Sequence, residues 1–590
     1  MAWKQIILFL ILAAPVLAVD QHDDVVMRAM KDELARSMSQ LQLRQMEKPY
    51  FLAYRMQEVT QREISATLGS LTSSSGTPSR NRLVGVELRV GDYAFDNSNF
   101  VTMQRLRSGA AAMFSGVEQG SLDDNYAQVR REFWLATDQQ YKRALEDLSA
   151  KKAALKMRNG GESIPDFSKE PSLTLLQPAG FNLVNVGELE SLARDVSAIF
   201  RSAPEIDRSF VTLTYRNLYT RYVNSEGTTF TRSEPLLKLE VSASTQAQDG
   251  LPISDSFTLY GRTPSDLPAK DELRRRAQQM ADVVVKLRSA SVLDRYNGPV
   301  LFEGSAAGEV FLQEFGSRLA ASRSPMSDNP QFEMIFTQML DRLVGSSFQD
   351  KVGARVLPDF ISVRDVPSEA AFGGLALMGS APIDDDGVRT RDTAVIEHGI
   401  LKNLLTSRVP VRGILQSTGS RHGWGAAPSN LILQSDKPFS AEDLRKQLLQ
   451  RAKERGLDYA IVVRHLGGGS EANLMEMAKQ MTQQGSSRSI PEVYKLYPDG
   501  HEEPLRGVHI SDLAPESFKE IIATGDKPVI YSDELIPRMS SLFSMGLSSR
   551  SDLPVVSCVS PSLLFEEIAL AKTEGPFPAL PVSKSPLAEK

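Results

Sequence analysis

The chain has 590 residues, 41% of them hydrophobic and 24% charged, a length for about two to four domains and a balance of globular rather than disordered or fibrous proteins. Its net charge of -6 gives no general electrostatic ground for binding nucleic acid, because a duplex-binding domain carries a strongly basic face. The single cysteine, Cys558, excludes an intrachain disulfide, so the core must supply the stability.

The N-terminus places Lys4 before an apolar run over residues 6–12, then Pro15 and Val16-Leu17-Ala18. A charge, a short apolar core and a small-residue ending make a secretory leader, and the run is shorter than the ~20 residues that span a bilayer. Cleavage is expected after Ala18, giving a mature chain from Val19 that is periplasmic or secreted and not membrane-bound. The residue directly after the cleavage point is Val19 and not cysteine, which argues against a lipid anchor.

Beyond the leader, Asp23 and Asp24 precede Met27, Met30, Leu34, Met38 and Leu41, a spacing that predicts an amphipathic helix with a core-facing methionine stripe, ended by Pro49. Residues 50–55, 62–68 and 83–90 predict strands, with a Ser/Gly/Pro-rich turn over 70–80. A charged helix is expected over 138–158, stopped by Asn159-Gly160-Gly161, and another helix over 187–201. Residues 210–215 and 218–224 read as strands, Asn224-Ser225-Glu226-Gly227 as a hairpin turn into 228–232, and 236–244 and 256–260 as further strands. A helix over 268–289, carrying Leu273, Met280, Val284 and Leu287, closes this half.

Residues 296–319, YNGPVLFEGSAAGEVFLQEFGSRL, run from a strand into a helix. The stretch resembles the TldD/PmbA metallopeptidase family, in which a similar strand leads into a helix that carries His-Glu-x-x-x-His in the zinc-bearing members. Two imidazoles there hold the metal and the glutamate activates water. Set by Gly308 and Gly316, the three positions read Leu312, Gln313 and Ser317. Leucine has no lone pair for zinc, glutamine is no base near neutral pH, and serine is seldom a zinc ligand. The resemblance therefore implies a member without the zinc motif, and Glu314 beside it reads as a solvated helix residue.

The C-terminal half carries the rest of the resemblance. Asp384-Asp385-Asp386-Gly387 and the 395–402 hairpin around His398-Gly399 resemble the family's acidic turn and hairpin; the three aspartates lack EF-hand spacing and read as a turn. The segment from Thr418-Gly419-Ser420-Arg421 to Asn430 resembles one near the family's peptide cleft, which makes Arg421 and Asn430 candidates for substrate or partner contact. His501-Glu502-Glu503-Pro504 is no zinc helix, because Pro504 breaks it, and the surrounding Tyr497-Pro498-Asp499-Gly500 and Leu505-Arg506-Gly507 read as a turn between two strands. His398, His422 and His465 stand isolated in sequence and read as structural. Gly467-Gly468-Gly469 lacks the residues of a phosphate loop, and Cys558 reads as a buried thiol.

The expected fold is α+β and two-lobed: a leader over 1–18, an N-terminal helix-and-sheet lobe over 19–290, a C-terminal lobe over 291–575, mostly antiparallel β with flanking helices, and a Pro-rich tail over 576–590. Zinc-bearing family members act as peptidases paired with a homologous subunit that lacks the metal, and this chain resembles that second kind. The resemblance implies no cofactor here, zinc only in the homologous partner, and unstructured peptides as substrates. An active peptidase with a site of another kind and a stand-alone peptide-binding scaffold stay open as alternatives.

Overall fold

The computed structural model describes residues 24–574 except 44, 76, 103–116, 159–163, 181–183, 324–325, 345–346, 468–489 and 540–552, together with 577, 579–581, 583 and 585–588 of the tail. The leader, the Asn159-Gly160-Gly161 stop, and Gly468 and Gly469 lie outside the described residues. Among the described residues no helix is long and apolar enough to cross a membrane.

The first helix, α1 (Val25–Gln40), begins where the Asp24 carboxylate accepts hydrogen bonds from the backbone N–H of Val26 and Met27. That cap satisfies donors the first turn leaves orphaned. Its apolar stripe, Val26, Met30 and Leu34, is buried, and the helix ends at Gln40, well before Pro49. Strand β1 (Pro49–Thr67) is one continuous 19-residue strand where two were expected. It turns at Leu68 and Gly69, both with positive φ, as a two-residue type I′ hairpin requires, so residues 70–74 pair back on β1 rather than forming a turn. Strand β2 (Ser79–Val90) lies antiparallel on β1. Helix α2 (Tyr126–Met157), capped by Asn125, starts twelve residues before the expected 138.

Helix α3 (Val186–Ser197) leads to β3 (Arg208–Asn224), β4 (Thr229–Gln246) and β5 (Pro252–Gly261). The β3–β4 turn falls at Asn224–Gly227 as the sequence predicts: the Asn224 side chain accepts from the N–H groups of Glu226 and Thr228, and Gly227 takes a positive φ. The main strands order β2-β1-β3-β4-β5, all antiparallel. Helix α4 (Lys270–Leu287) buries Leu273, Met280, Val284 and Leu287.

The C-terminal half holds two sheets with a helix between them. Strand β6 (Arg295–Phe302) enters helix α5 (Ser305–Phe315). Later strands are β7 (Ile361–Asp365), β8 (Thr393–Glu397) and β9 (Asn430–Ser435), then helix α6 (Ala441–Glu454) and β10 (Ala460–His465). After these come β11 (Glu492–Leu496), β12 (Glu502–Arg506), β13 (Ile521–Gly525), β14 (Val529–Glu534), β15 (Val555–Ser560) and β16 (Leu563–Lys572). The larger sheet orders β12-β11-β10-β6-β16-β13 and the smaller β8-β7-β9-β15-β14. Their pairings are mostly antiparallel, with parallel joins at β6–β10 and β9–β15. Helix α5 touches β10 of one sheet and β14 and β15 of the other. The architecture is thus α+β with two sheet-rich lobes.

Candidate functional site

Helix α5 is amphipathic only weakly because both sheets cover it: Val310, Phe311, Leu312, Phe315 and Leu319 are all buried in one core. Gly308 and Gly316 are packing residues. A Cβ on Gly308 would sit 3.0 Å from Tyr531 Cβ and 3.4 Å from the Cys558 carbonyl, and one on Gly316 would sit 2.9 Å from Leu312 Cδ1. The three motif positions diverge. Leu312 is 2% exposed in the apolar core. Gln313 faces outward, its amide 3.5 Å from Glu309 Oε1. Ser317 lies past the helix end in a 3-10 turn and donates to the Ile536 carbonyl at 3.1 Å.

An alkyl group, an amide and a hydroxyl committed to a carbonyl do not make a zinc site, so the donor set does not fit the zinc of the family's metal-bearing members. Glu314, read from sequence as solvated, is half-buried, and desolvation raises its carboxyl above the ordinary value against the pull of Arg318 at 3.7 Å. Cys558 is wholly buried on β15, and burial pushes its thiol up.

The acidic turn is buried, not solvated. Asp384 accepts from the N–H groups of Asp386 and Val388 at 2.9 Å each and from that of Arg421 at 3.0 Å, closing a turn in which Gly387 has a positive φ. Desolvation, with the Asp386 charge adding, raises the Asp384 carboxyl to about 8. Asp385 accepts from Gly423 N–H at 2.6 Å and pairs with Arg232, while Arg55 donates to its carbonyl. Arg421, a sequence candidate for contact, is 2% exposed; its Nε donates to the Gly423 carbonyl at 2.9 Å and its Nη1 lies 3.3 Å from Asp386. Asn430, the other candidate, is fully buried. It accepts from Gly379 N–H at 3.0 Å and donates to the carbonyls of Glu369 and Val366 at 2.9 and 3.3 Å. The structure brings Arg421 to the acidic turn and Asn430 to β7, and neither to the motif positions.

The open space lies elsewhere. A cavity of about 1070 Å³ separates β5 and α4 of the first lobe from the start of α5, the β10–β11 pair and β14 of the second. On one wall Tyr531 and Tyr260 donate to Asp533 at 3.1 and 3.3 Å, and burial raises the Asp533 carboxyl to about 7. On another, His465 Nδ1 lies 2.8 Å from Asp255 Oδ1, and its Nε2 4.0 Å from Glu309 Oε2. Burial pulls the imidazole down, but Asp255, Glu309 and Glu492 outweigh it and raise it to about 9. Desolvation and Asp255 raise the Glu492 carboxyl, with His465 opposing.

His465 is therefore not isolated, as its sequence surroundings suggest: Asp255, His465 and Glu492 each offer a ligand atom, all within 4.8 Å of one another. No sequence spacing marks this group, because Asp255 is 210 residues away on the other lobe. His398 is exposed, 3.3 Å from Asp436, and His422 is buried in a short strand. The predicted turn between β11 and β12 falls at 497–501 and includes His501, whereas Leu505 and Arg506, read as part of it, belong to β12.

Residues 296–572 match the family model described as the PmbA/TldA metallopeptidase C-terminal domain. A metalloprotease PmbA homologue of Haemophilus influenzae is 33% identical over 84 residues, which cover 14% of this chain and 18% of that relative. The chain thus spans under a fifth of that relative's length. A Thermotoga maritima structure described as a candidate modulator of a DNA gyrase superposes with a TM-score of 0.57 at 16% identity, covering 92% of this chain and 99% of that one. TldE from Thermococcus kodakarensis superposes with a TM-score of 0.54 at 12% identity, covering 92% and 100%. At these identities the two structures show a common fold.

Proposed function

This chain belongs to the TldD/PmbA family, and on that premise we propose that it is an exported member without the family's motif zinc, acting as the partner subunit of a zinc-bearing homologue in proteolysis of unstructured peptides. The observation that carries the reading is helix α5. Its glycines and apolar face remain packed between two sheets, while the positions that would hold zinc and base have become leucine, glutamine and serine. What packing needs is retained and what catalysis needs is gone. Arg421 and Asn430 act in this reading as internal ties that shape the lobe, which their burial supports.

Co-expression with a zinc-bearing homologue of the same cell, followed by size exclusion, tests the pairing. The expected result is a complex of defined stoichiometry with an interface above ~1,000 Å² and peptidase activity that depends on both chains. Two homologues eluting separately, with the zinc-bearing one fully active alone, would overturn it. Export is tested separately: N-terminal sequencing of the exported protein is expected to begin at Val19, and Met1 found intact would refute the leader. A second reading, a stand-alone peptide-binding scaffold, is favoured by the volume of the inter-lobe cavity; binding of unstructured peptide by the isolated chain, with no partner recovered, would favour it.

A further inference from the structure

We propose that Asp255, His465 and Glu492 form a binding site for a divalent first-row cation, Zn²⁺ or Mn²⁺, at the seam between the lobes and apart from the motif positions of helix α5. The placement is built into the fold. His465 ends β10 and Glu492 begins β11, and the two are direct cross-strand partners at a register shift. Backbone pairing therefore holds the imidazole and one carboxylate side by side. Asp255 comes from β5 of the other lobe and meets His465 Nδ1 at 2.8 Å.

The donor set is one imidazole nitrogen and two carboxylates, which suits Zn²⁺ or Mn²⁺ better than a thiolate-seeking ion or an all-oxygen calcium cage. Separations between ligand atoms of up to 4.8 Å must close to about 3.3 Å, the edge of a tetrahedron with bonds of ~2.05 Å, and the 2.8 Å contact of His465 Nδ1 with Asp255 must open slightly as the cation replaces the shared proton. Side-chain rotation of the half-buried His465 and Glu492 supplies it without moving the strands. The charge balance points the same way. A third carboxylate, Glu309, lies fully buried with Oε2 4.0 Å from His465 Nε2 and accepts from Leu466 N–H at 2.9 Å. Among the described residues three carboxylates thus lie near one imidazole, while the neighbouring cation Arg464 is engaged by Glu303 and Glu502 at 3.1 and 2.7 Å. A dication set between Asp255 and Glu492 is attracted by both carboxylates. All three ligands border the inter-lobe cavity, so water or an oxygen-bearing ligand can complete the coordination from the open side.

The inference does not rest on the pairing proposal: a chain that binds the cation and fails to pair leaves this site standing, and the reverse holds equally. The test uses the full chain, freed of metal by chelation and dialysed against Zn²⁺ or Mn²⁺, with bound metal measured by elemental analysis and affinity by calorimetry. One equivalent is expected, with a rise in melting temperature because the cation ties two lobes. Glu492→Gln, nearly isosteric, and His465→Ala should each weaken binding roughly tenfold or more, since even supporting residues around metals cost 10–100-fold. Gln313→Ala and Ser317→Ala should leave it unchanged. A cobalt-loaded chain should lack thiolate-to-metal charge transfer. No binding of either cation up to about 1 mM, or one equivalent held undiminished by Glu492→Gln with the fold intact by circular dichroism, would overturn the proposal.

Discussion

Asp365 closes β7 with no exposure, its Oδ1 accepting from the N–H groups of Ser429 and Asn430 at 2.8 and 2.9 Å. Burial raises its carboxyl to about 7 against those two N–H groups, with Asp392 adding slightly. The folded value is above the unfolded one, so between about pH 4 and 7 the unfolded chain releases a proton the folded chain keeps, and stability falls as pH rises. The interval is about three pH units at 1.36 kcal/mol each, roughly 4 kcal/mol lost by pH 8. Asp365→Asn keeps the accepting oxygen and removes the charge. It also puts an amide N–H₂ where Oδ2 makes no hydrogen bond, a cost of about 1–3 kcal/mol that hardly changes with pH. The variant's stability relative to the parent should therefore improve by about 3 kcal/mol between about pH 4.5 and about pH 8. Urea denaturation at both values, with unchanged m, reads this directly. A difference independent of pH, or a variant that loses ground as pH rises, would refute the reasoning and mean that the two N–H groups hold the carboxylate ionised.

Phe315 is fully buried against Phe311, Phe348 and Phe518, with ring centroids 4.9, 5.1 and 4.6 Å away. Phe315→Ala should cost about 3–5 kcal/mol by urea denaturation, whereas Gln313→Ala, two residues earlier and exposed, should stay within about 0.5 kcal/mol. Equal losses would contradict a packing role for helix α5. Cys558, wholly buried with its thiol pushed up, should resist maleimide in the native chain and label fully in denaturant; fast native labelling would show that β15 opens.

Much of the fold was legible from local pattern, and its failures have local causes. The break expected in β1 near Glu58 reflects a polar run, but Glu58 is buried because Arg82 reaches it from β2 at 2.5 Å and Arg80 at 3.0 Å. Periodicity reads such a residue as solvent-facing, since the partner that compensates its charge is 24 positions away. The separate segments expected over 228–232 and 236–244 are one strand, β4, which runs through Pro235; pairing with β5 reaches only to Leu237, so the ladder tolerates the missing N–H of Pro235. Helix α2 begins early because Asn125 caps it and the stretch before 138 already supplies Val129, Phe133 and Ala136 to the core, an apolar spacing that a start at 138 leaves out. The motif helix was legible because its information lies within one segment. The Asp255–His465–Glu492 group was not, since three elements from two lobes make it.

The lobes meet through a small shared apolar cluster, in which Ile383 packs with Phe51, Tyr222 and Phe230, and through directional polar contacts. Arg232 reaches Asp385 across the seam, Arg408 donates to Glu226 at 2.6 Å, Lys238 pairs with Glu534 at 3.0 Å and Arg506 with Asp249 at 2.7 Å. The first three of these pairs are largely buried, whereas Asp249 is exposed; a buried pair barely recovers its desolvation cost, and breaking it leaves an uncompensated charge. Their contribution is to geometry: each pair is satisfied at one lobe angle, and together they fix the width of the cavity that Asp255 and His465 flank. Apolar contact could slide by a rotamer, whereas a guanidinium set between a carboxylate and a carbonyl cannot. A cation held by Asp255 on one lobe and His465 and Glu492 on the other would join this set as a tie of the same kind. Its removal should loosen the lobe angle before it touches either core, so chelation would alter the cavity while leaving the α5 packing intact.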